Sequence, residues 1–316
     1  MHELTSYQLA IIALGAISFG VYLLIVGGDW TIDNAVAMAE RSGLSKMFIA
    51  ATIVAFGTSA PELFTSVNAN LSGYPGISVG NVIGSNIANV LLVVAVAAII
   101  APMVIDRSEV RVDVIVMVTA TAAMVAGIVY GLVPRWGGAA MLAAIVAYVV
   151  YQFRASKLEE VEVQRSGSGA LKVWGMLLAG LVTLLAGSEI LVQGAVAGGV
   201  ALGVPEAVIG MTVIAFGTSL PELTACIAAA RKGESDIVIG GILGSNIFNI
   251  LSVMAISALV RPLLVDPGFV PFDTPVVVVV TLLFAGLLLL SGRIGRLAGL
   301  LMLAGYAAFI AVQYLL

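Results

Sequence analysis

Stretches without any Asp, Glu, Lys or Arg dominate the chain, set apart by short polar joints. Residues 4–28 and 63–105 contain none of the four, and further such runs cover 114–134, 136–153, 190–205, 237–260, 274–292 and 297–316. A helix needs an apolar run of about 20 residues to cross the hydrocarbon core of a bilayer. With Gly and Pro read as punctuation, the pattern predicts ten spans near residues 8–38, 46–70, 78–100, 112–131, 137–153, 172–198, 206–230, 238–260, 274–291 and 296–315. The first and sixth exceed what a bilayer requires, so tilt is expected.

The basic residues test that count, because the loops of a ten-span chain alternate between the two membrane faces. Loops after the odd-numbered spans hold every Lys and Arg except Arg135 and Arg261. The positive-inside rule then places both termini outside and the 154–172 linker in the cytoplasm, in a multi-pass protein of the cell membrane. That linker carries Lys157, Glu159, Glu160, Glu162 and Arg165 before Ser166-Gly167-Ser168-Gly169, the make-up of a flexible joint.

Composition removes most other classes. Hydrophobic residues make up 61% of the 316 and charged residues 10%, where soluble domains average about 25% charged. With a mean hydropathy of +1.14 a water-facing surface is not available, which excludes a soluble enzyme. The net charge of −4 has no basic block behind it, so nucleic acid is not a partner. One cysteine, Cys226, cannot make an intramolecular disulfide, and one histidine, His2, leaves no His-based metal site. No Walker-type phosphate loop is present, and no Lys or Arg precedes the first apolar run as in a cleavable signal peptide.

The chain is one unit written twice. Residues 52–62, TIVAFGTSAPE, match 212–222, TVIAFGTSLPE, at eight of eleven positions with an offset of 160. At the same offset 80–90, GNVIGSNIANV, matches 240–250, GGILGSNIFNI, at six positions, and Gly27, Asp29, Gly43, Pro102 and Asp106 align with Gly187, Glu189, Gly203, Pro262 and Asp266. Five spans per half is odd, so residues 1–153 and 173–316 are expected as inverted repeats around the 154–172 linker, a common plan of secondary transporters with the site near mid-bilayer.

Each copy of the first motif sets a glutamate, Glu62 or Glu222, inside an apolar segment, where an unpaired carboxylate costs roughly 2.5 kcal/mol or more. Pro61 and Pro221 cannot donate to the carbonyls of Gly57 and Gly217, so spans 2 and 7 are expected to break there and turn backbone oxygens inward. Ser85 and Asn89 share a helix face in the second motif, as do Ser245 and Asn249. The inventory is all hard oxygen, which suits calcium or sodium and not zinc. Plainer readings compete. Ser59-x-x-Glu62 and Ser219-x-x-Glu222 fit a capping box, Gly-Ser-Asn fits small-residue packing, and Cys226 reads as a small buried residue. Asp29 and Glu189 read as structural or interfacial.

At these residues the sequence resembles the cation/calcium exchanger superfamily, in its sodium/calcium exchanger branch. The paired G-T-S-x-P-E and G-S-N segments look like that family's α-repeats. The resemblance implies calcium held by Glu62 and Glu222 with the carbonyls of Thr58 and Thr218. It implies sodium sites sharing those glutamates and adding Ala55, Ala215, Ser85 and Ser245, with Asn89 and Asn249 nearby. It further implies exchange of external sodium for internal calcium, with spans 1 and 6 sliding over the rest. Two departures stand out: Asn at 249, where the potassium-dependent branch has Asp, argues against potassium co-transport, and no large calcium-sensing insert is present.

The function expected is therefore sodium/calcium antiport by alternating access in an all-α, ten-span membrane protein. No cofactor and no obligate protein partner are implied beyond the transported ions and the bilayer. The alternatives are a proton/calcium exchanger or another divalent-cation antiporter. A channel is also compatible with the two-copy layout. An intramembrane protease is disfavoured, because Val26-Gly27-Gly28-Asp29 is not a G-x-G-D motif.

Overall fold

The computed structural model describes residues 6–156, 169–202 and 217–313. Its helices are α1 (Ser6–Ser42), α2 (Lys46–Thr58), α3 (Ala60–Leu71), α4 (Pro75–Ile100), α5 (Arg107–Tyr130) and α6 (Arg135–Ser156), then α7 (Ala170–Ala201), α8 (Leu220–Arg231), α9 (Ser235–Val260), α10 (Asp273–Ser291) and α11 (Arg296–Gln313). Eight of these are long and apolar enough to cross a membrane. The pair α2 and α3, bent by 43° at Ser59, makes a ninth if taken as one broken span. Of the seventh expected span, α8 is the second arm; 203–216, including Ala215, lies outside the described residues, as does most of the 154–172 linker.

Burial sorts the helices into shells. α9 is buried throughout its apolar stretch and α4 across most of it, whereas α6 and α11 expose most of theirs. The exposed faces carry Trp136 and Val146 on α6, Leu282 and Leu283 on α10, and Leu297 and Leu301 on α11. In water such faces would drive aggregation; against lipid they are the solvent-matched surface. The inner shell is α2, α3, α4, α8 and α9, with α5, α6, α10 and α11 around it.

The two longest helices, α1 and α7, lie against each other with backbones nearly touching. A Cβ added to Gly27 would sit 2.7 Å from the Leu184 backbone nitrogen, and one added to Gly187 would sit 2.9 Å from that of Leu24. Without hydrophobic drive between helices in lipid, close packing of this kind is what holds them.

Short strands tie the peripheral helices at their ends. β1 (Met103–Val104) pairs antiparallel with β4 (Arg293–Ile294), and β2 (Leu132–Val133) with β3 (Leu263–Leu264). Asp106 caps α5 by accepting from the Ser108 hydroxyl (2.6 Å) and amide (2.8 Å). Those two donors hold its carboxyl below the usual carboxylate range. Asp266 accepts from the Gly268 amide at 2.8 Å in the matching turn.

Charged ties gather at the linker end of the bundle. Lys46 pairs with Glu234 (2.8 Å), and Lys232 with Asp33 (2.7 Å) and Asp29 (3.2 Å). Partial burial alone would lower the Lys232 pKa, but hydrogen bonds to Asp33 and Asp29 outweigh it and leave it raised. Asp29 thus has the interfacial role expected of it, while exposed Glu189 accepts from Gln193 on its own helix at 2.9 Å.

Candidate ion-binding site

The break between α2 and α3 positions the site. Pro61 sits in the first turn of α3, where its missing N–H is harmless, and Ser59 is the joint residue. The serine does not cap: its side chain makes no bond to the helix it precedes, and Ser219 ahead of α8 likewise makes none. The capping-box reading is overturned by where the Ser59 hydroxyl goes instead. It lies 2.7 Å from the Ser245 hydroxyl on α9 and 3.4 Å from Glu222 Oε1 on α8. Ser245 donates to the same Glu222 oxygen at 3.0 Å. Residues from both halves of the chain therefore meet at one carboxylate.

Glu62 and Glu222 are 1% and 3% exposed, and the charge of Glu222 acts on Glu62. Ser85 on α4 faces Glu62, as Ser245 faces Glu222. Thr58, the last residue of α2, is buried, and with Glu222 and Cys226 it borders a cavity of about 10 Å³, near the size of one water-sized group. Cys226 is buried, as expected.

α4 and α9 cross at their asparagines. Asn89 Nδ2 donates to Asn246 Oδ1 (3.0 Å) and Asn249 Nδ2 to Asn86 Oδ1 (3.2 Å). Both helices widen into π-helical turns at this point, Asn89–Val94 and Asn249–Met254. Such turns recur at functional sites because they re-aim side chains. The crossing uses the side-chain oxygens of Asn86 and Asn246 as acceptors and leaves those of Asn89 and Asn249 unpaired.

Both Glu62 carboxylate oxygens, Glu222 Oε2, Asn89 Oδ1 and Asn249 Oδ1 are buried without a hydrogen-bond partner. Buried acceptors are nearly always satisfied, so oxygens left bare in one region are what a desolvated cation would fill. The donor set is hard oxygen, and among the described residues no three of His, Cys, Asp and Glu cluster. The fixed charge available is that of the two glutamates.

Two expected backbone oxygens are already engaged. The Ala55 carbonyl accepts from the Ser59 amide (3.0 Å) and the Thr58 hydroxyl (3.3 Å). The Gly217 carbonyl, freed by Pro221, takes a 2.7 Å bond from Ser188 on α7. Gly28 stands at the matching position of the other half, so this contact has no mirror. Thr218 is described but Ala215 is not. Sequence reasoning named Ser59, Asn86 and Asn246 only as parts of motifs; their appearance in both copies was the signal that they belong to the site.

A funnel of about 330 Å³ leads toward this region from the end of the molecule opposite the linker, lined by Gly80, Gly84, Ser219, Phe269, Asp273 and Gln313 among others.

A buried oxygen cage inside a bundle of lipid-facing helices defines an integral membrane cation transporter. The model of the sodium/calcium exchanger protein family matches residues 12–154 and 172–315. Relatives along nearly the whole length include the uncharacterized membrane protein MJ0091 of Methanocaldococcus jannaschii, 34% identical over 95% of this chain and 98% of that one. Another is the sodium/calcium exchanger MaX1 of Methanosarcina acetivorans, 29% identical over 93% and 96%. A solved structure of the sodium-calcium exchanger NCX_Mj superposes with a TM-score of 0.84 at 33% identity, covering 96% of this chain and 98% of that one. The chain belongs to the sodium/calcium exchanger family.

Proposed function

We propose that the chain exchanges sodium for calcium across the cell membrane by alternating access, with Glu62 and Glu222 sharing one ion site between inverted five-helix repeats. The observation that carries this is the set of bare buried oxygens on Glu62, Glu222, Asn89 and Asn249. Calcium takes six to eight oxygens, and two glutamates with carbonyls and water supply that number. Thr58, Thr218, Ser85, Ser245, Ala55 and Ala215 are the further donors proposed. At Ala55, sodium takes the place of the Thr58 hydroxyl.

Charge supplies the coupling. With both glutamates ionised, the empty site carries about −2, which is prohibitive to carry through a low-dielectric barrier. One calcium, or several sodium ions, neutralises it and permits the switch. The ions are cargo, and the reading needs no resident cofactor or partner protein. Ten spans, with both termini outside and the linker cytoplasmic, follow from the loop charges, and the funnel past Asp273 is then the outer entrance.

Proton/calcium exchange, the nearest alternative, gains nothing from these relatives. Radioactive calcium uptake into proteoliposomes separates the two. The reading expects uptake driven by an outward sodium gradient and none by a pH gradient alone; uptake with sodium absent would overturn it.

A further inference from the structure

α5 carries a carboxylate that the exchange site does not use. Asp113 is completely buried within its span. Its Oδ1 accepts from the Tyr148 hydroxyl at 2.9 Å and from the Gln152 amide, both on α6. Its Oδ2 is buried with no partner. An ionisable residue within a membrane span is costly to keep, and its presence there asks for a function.

We propose that Asp113, with Tyr148 and Gln152, forms an intramembrane proton-binding site separate from the exchange site and filled from the linker side. The geometry favours a proton over a metal cation. Both neighbours turn N–H or O–H donors toward the carboxyl, which repel a cation, and among the described residues no group of three His, Cys, Asp or Glu gathers to hold a metal. A proton on Oδ2 removes the charge while Oδ1 keeps both bonds. The route in is short, because Gln152 is only half-buried and lies in the last turns of α6.

The titratable group facing Asp113 is Tyr148. The helix of Asp113 begins with Arg107, Glu109 and Arg111, and Arg154 on α6, Asp236 at the start of α9 and Arg293 after α10 lie at the linker end. Among the described residues, hydrogen bonds to Asp113 come from Tyr148 and Gln152. From α9, Asn246 reaches to 4.0 Å from the sulfur of Met117, one turn along α5.

Occupancy can reach the exchange machinery by two contacts. Asn246 accepts from Asn89 of the ion site. One turn past Gln152, the Ser156 hydroxyl accepts from the Ser45 amide at 2.8 Å, and Ser45 caps α2. Losing the proton leaves a bare charge between α5 and α6 and loosens both contacts, so exchange slows as linker-side pH rises.

Infrared spectroscopy of the protein in lipid tests the site without needing transport. The carbonyl-stretch band of a protonated carboxylic acid is expected in the unmodified protein, absent in Asp113→Asn and shifted in Tyr148→Phe, which keeps the acid and loses one donor. Sodium-driven calcium flux, which rests on the exchange reading, is expected to fall about tenfold per unit of linker-side pH beyond the midpoint. The permanently neutral Asp113→Asn should lack that step. An identical band in the unmodified protein and both variants overturns the proposal. So does loss of a bound sodium or calcium equivalent in Asp113→Asn, which would make this a cation site.

Discussion

The hydroxyls of Ser59 and Ser245 stand 2.7 Å apart although 186 residues separate them. They come from different motifs, one at the break of α2 and α3 and the other within α9, and both bond Glu222 Oε1. The bond from Ser245 is the shorter, 3.0 Å against 3.4 Å. Each hydroxyl is worth about 1 kcal/mol or more when its partner is charged. Ser245→Ala is expected to raise the calcium KM by about tenfold and Ser59→Ala by less. Equal effects, or none, in calcium uptake titrations would show that these contacts do not serve ion binding.

The two glutamates should behave differently from the serines. Glu62→Gln and Glu222→Gln keep shape and remove charge, and breaking a buried charged set costs about 3–5 kcal/mol. Exchange in either variant is expected to drop by more than about a hundredfold. If more than two sodium ions replace one calcium, turnover is electrogenic and an imposed membrane potential should change its rate in the unmodified protein. Normal exchange in either glutamine variant would falsify the shared-site reading.

Glycines 84 and 244 occupy matched positions and give opposite forecasts. A Cβ at Gly244 would lie 2.3 Å from the Ala51 carbonyl oxygen, whereas one at Gly84 meets nothing within 4 Å. Gly244→Ala forces α9 away from α2 and should destabilise by about 1–3 kcal/mol, while Gly84→Ala should be near neutral. Thermal unfolding of the detergent-solubilised protein reads both; similar midpoints would show that the α2–α9 contact is not tight.

The Lys232 tie to Asp29 and Asp33 sets an alkaline limit. Because its pKa is raised on folding, the stability it adds is complete below the ordinary lysine value, about 10.4, and is lost as pH rises through the folded value. Lys232→Met should therefore cost less than about 1 kcal/mol near neutrality and remove part of the loss of stability above pH 10. High salt should mimic the substitution. A difference from the unmodified protein that grows toward acid would contradict this assignment.

The described spans were legible because lipid tolerates so few charges that gaps between them mark the helices. Helix ends at Ser42, Leu71, Ile100, Val260 and Ser291 lie within a few residues of expectation. The candidate site was legible because its motifs are written twice. What escaped is single-copy. Ser188 bonds the Gly217 carbonyl with no counterpart at Gly28, and Asp113, just before the charge-free run 114–134, meets Tyr148 and Gln152 more than thirty residues on. Local pattern alone left two readings open at Ser59, because a capping box and a cross-repeat contact share one sequence and only tertiary packing chooses between them.

The glycine-lined union of α1 and α7 reaches beyond the ion site. At about 1.5 Å per residue, their 37 and 32 residues amount to about 55 and 48 Å, against a hydrocarbon thickness of about 30 Å. The surplus has to lean over or protrude into the headgroup layer, and a pair that shifts during turnover drags those ends through it. Acyl-chain length then becomes a rate-setting variable: the same chain in short-tailed and long-tailed lipid should cycle at different speeds with its affinity for ions unchanged.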